Sequence, residues 1–171
     1  DDKFDSLKIH SNYELPEQLQ RFIHQTKYLP PMVCKPKFVR KNSDSAYLIT
    51  KSNLILGTGT YHEDDICLDS INKFNQIPLT LNVELLKTYS EEPKSPAIKE
   101  NAEKYAQWEN MVRDSYLVYK ELVQQGNEFF LTHKVDKRGR TYSQGYHCST
   151  QGNSFRKAII DLANKEVVDG F

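Results

Sequence analysis

The sequence predicts an α+β chain, mainly helical, with a small β-hairpin-like unit in its last third. Apolar residues recur at helical spacing as far as Gln125. Beyond Gly126 the pattern becomes two extended runs about a glycine-centred turn, and an amphipathic stretch follows. Leu15, Leu19, Phe22 and Ile23 predict a helix from about Leu15 to Tyr28, with Pro16 tolerated in its first turn and Pro30-Pro31 beyond its end. Tyr47-Leu48-Ile49 and Leu54-Ile55-Leu56 read as short strands. Ile66, Ile71, Phe74 and Ile77 predict a second helix starting near Glu63-Asp64-Asp65, whose carboxylates suit the positive end of a helix dipole, and stopping at Pro78. Leu81, Leu85 and Leu86 predict a short third helix after Thr80, followed by a polar linker from Ser90 to Pro96.

A long helix is expected from about Ala97 to Gln125, with Ile98, Tyr105, Trp108, Val112, Tyr116, Tyr119 and Val123 on one stripe and Gly126 as its stop. Its aromatic residues are expected in a core or a subunit interface. Phe129-Phe130-Leu131 leads into the first extended run, Arg138-Gly139-Arg140 makes the turn, and Thr141 to His147 forms the second run. Gln151-Gly152-Asn153 turns the chain again, and Asn153 is placed to cap a closing helix over Ser154 to Lys165, with Phe155, Ala158, Ile159 and Leu162 on one side.

At 171 residues and 38% hydrophobic composition the chain suits one domain core. Repeats, low-complexity tracts and long linkers are absent. Cys34, Cys67 and Cys148 are odd in number and far apart, so neither a disulfide framework nor a zinc site is expected. No apolar run has the roughly 18 residues of a membrane span, and Asp1-Asp2-Lys3-Phe4-Asp5 lacks the basic start of a secretory signal; a soluble, intracellular chain is expected. His10, His24, His62, His133 and His147 show no metal-ligand spacing and are expected in packing or surface roles. Gly57-Thr58-Gly59 lacks the Gly-Lys-Ser/Thr of a phosphate-cradling loop.

Lys plus Arg and Asp plus Glu both number 23, so the net charge of zero gives no whole-chain case for a nucleic-acid binder. The charge is unevenly placed. Lys27, Lys35, Lys37, Arg40 and Lys41 form a basic island without carboxylates, with Tyr28 and Phe38 interleaved. Nine carboxylates oppose six Lys and Arg between Glu84 and Glu128. Lys134, Lys137, Arg138, Arg140, Arg156 and Lys157 then face only Asp136. Each basic island is either an ordinary wet loop or part of a positive stripe suited to a phosphate backbone.

The sharpest local feature is Asp136-Lys137-Arg138-Gly139-Arg140-Thr141-Tyr142. A glycine between two arginines permits a tight turn or close approach to a ligand, guanidinium groups can fork onto phosphates, and Tyr142 can stack or donate a hydrogen bond. Taken alone, the same residues could make an ordinary basic β-turn. With Gln151-Gly152-Asn153 fifteen residues after the aspartate and a helix following, the stretch resembles the single-subunit DNA-dependent RNA polymerases of bacteriophages and mitochondria. Leu29-Pro30-Pro31-Met32-Val33-Cys34-Lys35-Pro36-Lys37 is similar to that family's proline-rich segment upstream of the catalytic core. Ser70 to Leu79 with Asn82-Val83-Glu84-Leu85-Leu86 is similar to its helix-turn-helix stretch.

The resemblance implies that Arg138 and Arg140 contact phosphates of template or RNA–DNA hybrid, that Gly139 is the close-approach residue, that Asp136 orients an arginine, and that Tyr142 touches template or hybrid. Gln151, Gly152 and Asn153 would support that surface. Lys137 stands where many relatives carry a bulky or aromatic residue, and Cys148-Ser149-Thr150 where the family usually has a proline. The family's reaction uses two divalent ions on palm aspartates, and neither those motifs nor a nucleotide-binding fingers helix occurs here. Asp64-Asp65 reads as helix-start charge rather than a metal pair.

The resemblance therefore implies an incomplete polymerase: residues 1–171 as one upstream segment, helical to about 128 and carrying the D-x-x-G-R hairpin and its helix over 129–171. Val167 to Phe171 does not read as a domain edge, so the chain is expected to belong to something larger. The expected setting is the small subunit of a split polymerase, with a larger palm and fingers subunit holding Mg2+, a DNA template and an RNA product as partners, in the cytoplasm of an infected bacterium. The alternatives are a piece of a one-chain polymerase and a non-catalytic module that binds single strands or hybrids.

Overall fold

The computed structural model describes residues 16–18, 28–57 and 61–166. The helix expected from Leu15 to Tyr28 lies outside them apart from Pro16, Glu17, Gln18 and Tyr28, as do His10 and His24. Among the described residues the fold is α+β, with five helices and two antiparallel two-stranded sheets.

The first helix described over its whole length, α1 (Leu68–Asn75), begins later than Glu63 and ends before Ile77. Asp69 in its first turn and Lys73 in its last complement the helix dipole, while Asp64 and Asp65 lie ahead of it in irregular backbone. The chain then enters β1 (Leu79–Leu81), which buries Leu79 and Leu81 and half-buries Thr80 between them. Leu81 thus belongs to a strand, and the stretch expected to be helix-turn-helix is helix, strand, helix. Asn82 closes the strand and starts α2 (Val83–Thr88) by accepting the Leu85 N–H at 3.0 Å.

The expected long helix is divided. Ser95 accepts the Ala97 N–H to cap the four-residue α3 (Pro96–Lys99), and Asn101 accepts the Lys104 N–H at 3.0 Å to begin α4 (Ala102–Gln124) anew. Two strong capping residues six positions apart offer the backbone two starts. The buried stripe of α4 is Ser115, Tyr119 and Leu122, whereas Val123 is exposed and Trp108 only half-buried. Gly126 and Asn127 reverse the chain with φ of 102° and 56°, a region glycine and asparagine tolerate best. Asn127 also clasps β1, its Oδ1 accepting the Leu81 N–H and its Nδ2 donating to the Leu81 carbonyl, both at 3.0 Å.

Phe129 exchanges two backbone hydrogen bonds with Leu79, and Phe130 exchanges two with Met32. The extended run continues into β2 (Thr132–Val135), which pairs with β3 (Thr141–Gln144) in the register Thr132↔Gln144 to Val135↔Thr141. The second run ends at Gln144 rather than His147, because Gly145 begins a tight turn in which a Cβ would run into the Cys148 carbonyl. Asn153 caps α5 (Ser154–Ala158) by accepting the Arg156 N–H at 2.8 Å. This helix is far shorter than expected: Ile160 to Leu162 form β4, antiparallel to β1 with Leu79↔Leu162 and Leu81↔Ile160. Leu162 is consequently exposed rather than on a buried helical face.

Two apolar clusters flank the run from Phe129 to Val135. One joins Leu79, Leu81, Tyr119, Leu122, Phe129, Leu131, Cys148 and Ile159; the other joins Val39, Ala46, Leu54, Ile71 and Val135. Tyr47 to Ile49 form no strand, and Ile55 makes a single parallel bridge to Val135. The second cluster is closed by Asn72, whose amide accepts the Val39 N–H and donates to the Val39 carbonyl, each at 2.8 Å. The three cysteines are free thiols; that of Cys148 is buried, which pushes its pKa up to about 12.

Candidate nucleic-acid interface

The hairpin between β2 and β3 is organised by one carboxylate. Asp136 Oδ1 accepts the backbone N–H groups of Arg138 and Arg140 at 2.9 and 3.0 Å. Its Oδ2 accepts Arg138 Nε and Nη2 at 3.1 and 2.8 Å, Arg140 Nε at 2.9 Å and the Tyr142 hydroxyl at 3.1 Å. The backbone closes the same loop, with the Asp136 N–H donating to the Arg140 carbonyl and the Gly139 N–H to that of Asp136, both at 3.0 Å. Desolvation raises the Asp136 pKa, but hydrogen bonds from the Arg140 N–H, its guanidinium and Tyr142, with the Arg140 charge, outweigh it. The carboxyl is therefore held below its ordinary value.

The aspartate orients both arginines. Its side chain is only 15% exposed, whereas those of Arg138 and Arg140 are 68% and 52% exposed. Since Arg140 is tied through Nε alone, both its terminal nitrogens face no protein acceptor among the described residues, and Arg138 keeps Nη1 in the same state. Such an outward guanidinium edge can fork onto a phosphate. The Arg140 guanidinium carbon also lies 5.8 Å from the centroid of the Tyr142 ring, a cation–π arrangement. With its hydroxyl on Asp136 and its ring beside Arg140, Tyr142 steadies the loop.

Gly139 is required by the backbone itself. Its φ is 78°, and a Cβ there would meet nothing within 4 Å, so the need is for left-handed backbone. Gly152 is the tightly packed glycine, since a Cβ would stand 2.9 Å from Arg156 Cβ and 3.3 Å from the Ser149 carbonyl oxygen. Gln151 is brought to the hairpin: its Oε1 accepts the Ser143 N–H at 2.9 Å and its Nε2 donates to the Thr141 carbonyl at 3.0 Å, bracing β3 along its outer side. Asn153 is directed elsewhere, donating to Glu91 Oε1 at 2.6 Å while capping α5.

The basic islands are redistributed by folding. Arg156 leaves the second island, because its guanidinium is nearly buried and pairs with buried Glu91 at 3.1 Å. Lys134, opposite Tyr142 in the hairpin register, is half-buried, which lowers its pKa. Lys137, next to Arg138 in the chain, is exposed, and so are Lys35, Lys37, Arg40 and Lys41 of the first island. Both islands are tied to one strand: Met32 pairs with Phe130 just before β2, and the Leu56 N–H donates to the Val135 carbonyl at 2.8 Å just before Asp136.

The described histidines serve packing or loop bonds. His147 is buried, its Nδ1 3.0 Å from Ser115 Oγ, and the Tyr119 hydroxyl donates to its carbonyl at 2.9 Å. His133 Nδ1 is 3.0 Å from Asn75 Oδ1. No group of three or more His, Cys, Asp or Glu side chains among the described residues could hold a metal ion. No described helix is long and apolar enough to cross a membrane. No protein-family model matches the chain, and no curated protein matches it.

Proposed function

We propose that this chain is the smaller subunit of a DNA-directed RNA polymerase of the single-subunit type, acting in the cytoplasm of an infected bacterium. Its hairpin holds template and RNA–DNA hybrid while a larger palm and fingers subunit carries out nucleotide transfer. The observation that carries the proposal is the Asp136 carboxylate fixing two exposed guanidinium groups on one turn. Preorganised arginines lose less side-chain freedom when a phosphate arrives, so the contact positions the strand without reading its sequence. In this reading the larger subunit holds the two Mg2+ ions of such chemistry; Asp64 and Asp65 are exposed in the irregular backbone ahead of α1.

The test is reconstitution on a primed template with the larger subunit. Nucleotide addition should require both chains, and a larger subunit fully active alone would overturn the assignment. In the pair, Arg140→Ala should weaken retention of template or hybrid and flatten the dependence of log affinity on log salt by about one phosphate contact. An unchanged slope would remove Arg140 from this role. The exposed ring of Phe38, beside basic Lys37, favours a second reading, a non-catalytic module for single strands or hybrids. That reading requires a gel shift by the chain alone.

A further inference from the structure

A cavity of about 330 Å3 lies against the root of the hairpin, where Val135, Asp136 and Lys137 form one wall. Ile55 and Ile66 add apolar lining, and Tyr61 and His62 complete it. The segment from His62 to Ile66 is held by Asn42, which accepts the Ile66 N–H at 3.0 Å and donates to the Asp64 and His62 carbonyls at 2.8 and 3.3 Å. Asn42 directly follows Arg40 and Lys41, so the first basic island is joined to the 62–66 part of the lining, and Lys137 of the second belongs to the lining itself.

The lining selects its occupant. Tyr61 is 80% exposed and packs into neither apolar cluster, leaving its ring available. His62 Nδ1 lies 3.0 Å from the Asp64 carbonyl, which can only accept, so in the neutral ring Nδ1 carries the proton and Nε2 is an acceptor. Lys137 is the single cation of the lining among the described residues, Asp136 is saturated by its own loop, and Glu63, Asp64 and Asp65 follow His62 directly in the chain. An anion is disfavoured inside, whereas a planar neutral ring with polar edges suits an apolar lining, an aromatic side chain and two polar groups. The volume falls at the small end of the roughly 300–1,000 Å3 of small-molecule sites. Immediately along the chain stand Arg138 and Arg140, suited to the phosphates such a ring would carry.

We propose that this cavity takes one unpaired base of a single nucleic-acid strand, stacked on Tyr61, while the flanking phosphates lie on Arg138 and Arg140; the inference rests on the phosphate-binding reading of the hairpin. The full chain should be titrated with a short oligodeoxynucleotide and with the same backbone lacking all bases. Wild type should prefer the base-bearing strand by about tenfold or more, the scale of base–aromatic stacking. Tyr61→Ala should erase that preference with the salt slope unchanged, Tyr61→Phe should keep it, and Arg140→Ala should weaken both strands alike and flatten the slope. Salt-dependent binding with no base preference, or a preference that survives Tyr61→Ala, overturns the cavity alone. Failure to hold either strand, with or without the larger subunit, overturns the phosphate reading and the cavity together. In the unaltered chain, a strand carrying 5-bromouracil should photo-crosslink at Tyr61 or His62, and crosslinks confined elsewhere also refute the proposal.

Discussion

Glu91 lies outside every helix and strand, yet its side chain is 2% exposed and faces a guanidinium that is 12% exposed. Its Oε1 accepts Arg156 Nε at 3.1 Å and Asn153 Nδ2 at 2.6 Å, which fixes the segment after α2 against the start of α5. Removing one partner of a buried pair leaves the other charge without compensation, and such losses run to about 3–5 kcal/mol. Arg156 would keep its bond to the Tyr146 carbonyl, so the lower half of that range is expected for Glu91→Ala. For a chain of this size, 3 kcal/mol is roughly 6–12 °C in melting temperature and a substantial part of the ~5–15 kcal/mol typical of total stability. The assay is urea unfolding followed by the fluorescence of Trp108, the single tryptophan. The loss should be nearly insensitive to salt, because buried pairs are poorly screened, and Glu91→Ala combined with Arg156→Met should recover much of it. A Glu91→Ala chain within about 0.5 kcal/mol of wild type, the range of ordinary surface changes, would refute the reasoning.

Other outcomes follow from the same geometry. The folded Asp136 carboxyl is held below its ordinary 3.8, so its contribution to loop order is complete above that value and is lost as pH falls through the lower folded one; the Arg138 and Arg140 Nε–H resonances should report this in an NMR titration and lose the transition in Asp136→Asn. Burial lowers the His133 pKa against a smaller raising effect of the Leu131 backbone, so the unfolded chain takes the proton first and stability should decline as pH falls below 6.5. His133→Gln should flatten that decline in denaturant melts between pH 7 and 5, and an unchanged slope would exclude His133 as its source. Gly139→Ala and Gly152→Ala should each cost about 1–2 kcal/mol, by backbone strain and by overpacking respectively. Thermal melts separate the causes, because asparagine should be tolerated better than alanine at Gly139 and no better at Gly152.

What was legible in the sequence was mostly local. The Asn153 cap, the glycine turn at 139 and the stop at Gly126 are short-range chemistry, and the hairpin, the start of α5 and the end of α4 follow from them, whereas the apolar stripe masks the caps at Ser95 and Asn101 that divide the long helix. The fold departs from the local pattern where distant partners decide. Leu81 and Leu162 have good helical spacing, but Leu79 to Leu81 find strand partners at Ile160 to Leu162 and at Phe129, and the ladder outweighs the helical pattern. The motif residues are identifiable by type, but the backbone demands on two of them are not: Gly139 needs left-handed backbone and Gly152 is packed against Arg156. Arg156 looked like one more surface cation, and only the remote carboxylate at Glu91 takes it out of the basic island. Tyr61 and His62 carried no spacing that marked them, since their cavity is assembled by Asn42 and Val135 from other parts of the chain.

The position of β1 bears on how the chain can be made. Leu79 is bonded on one side to Phe129 and paired on the other with Leu162, so its strand has no complete set of neighbours until both distant segments have left the ribosome. During that interval Leu79 and Leu81 are shelterless apolar residues on an unpaired edge, the condition that invites association with other nascent chains. Closure over such sequence distances is slow by its nature. Expression at lower temperature or slower synthesis should therefore raise the soluble yield of the wild-type chain, a dependence set by the order of pairing rather than by the stability of the finished fold.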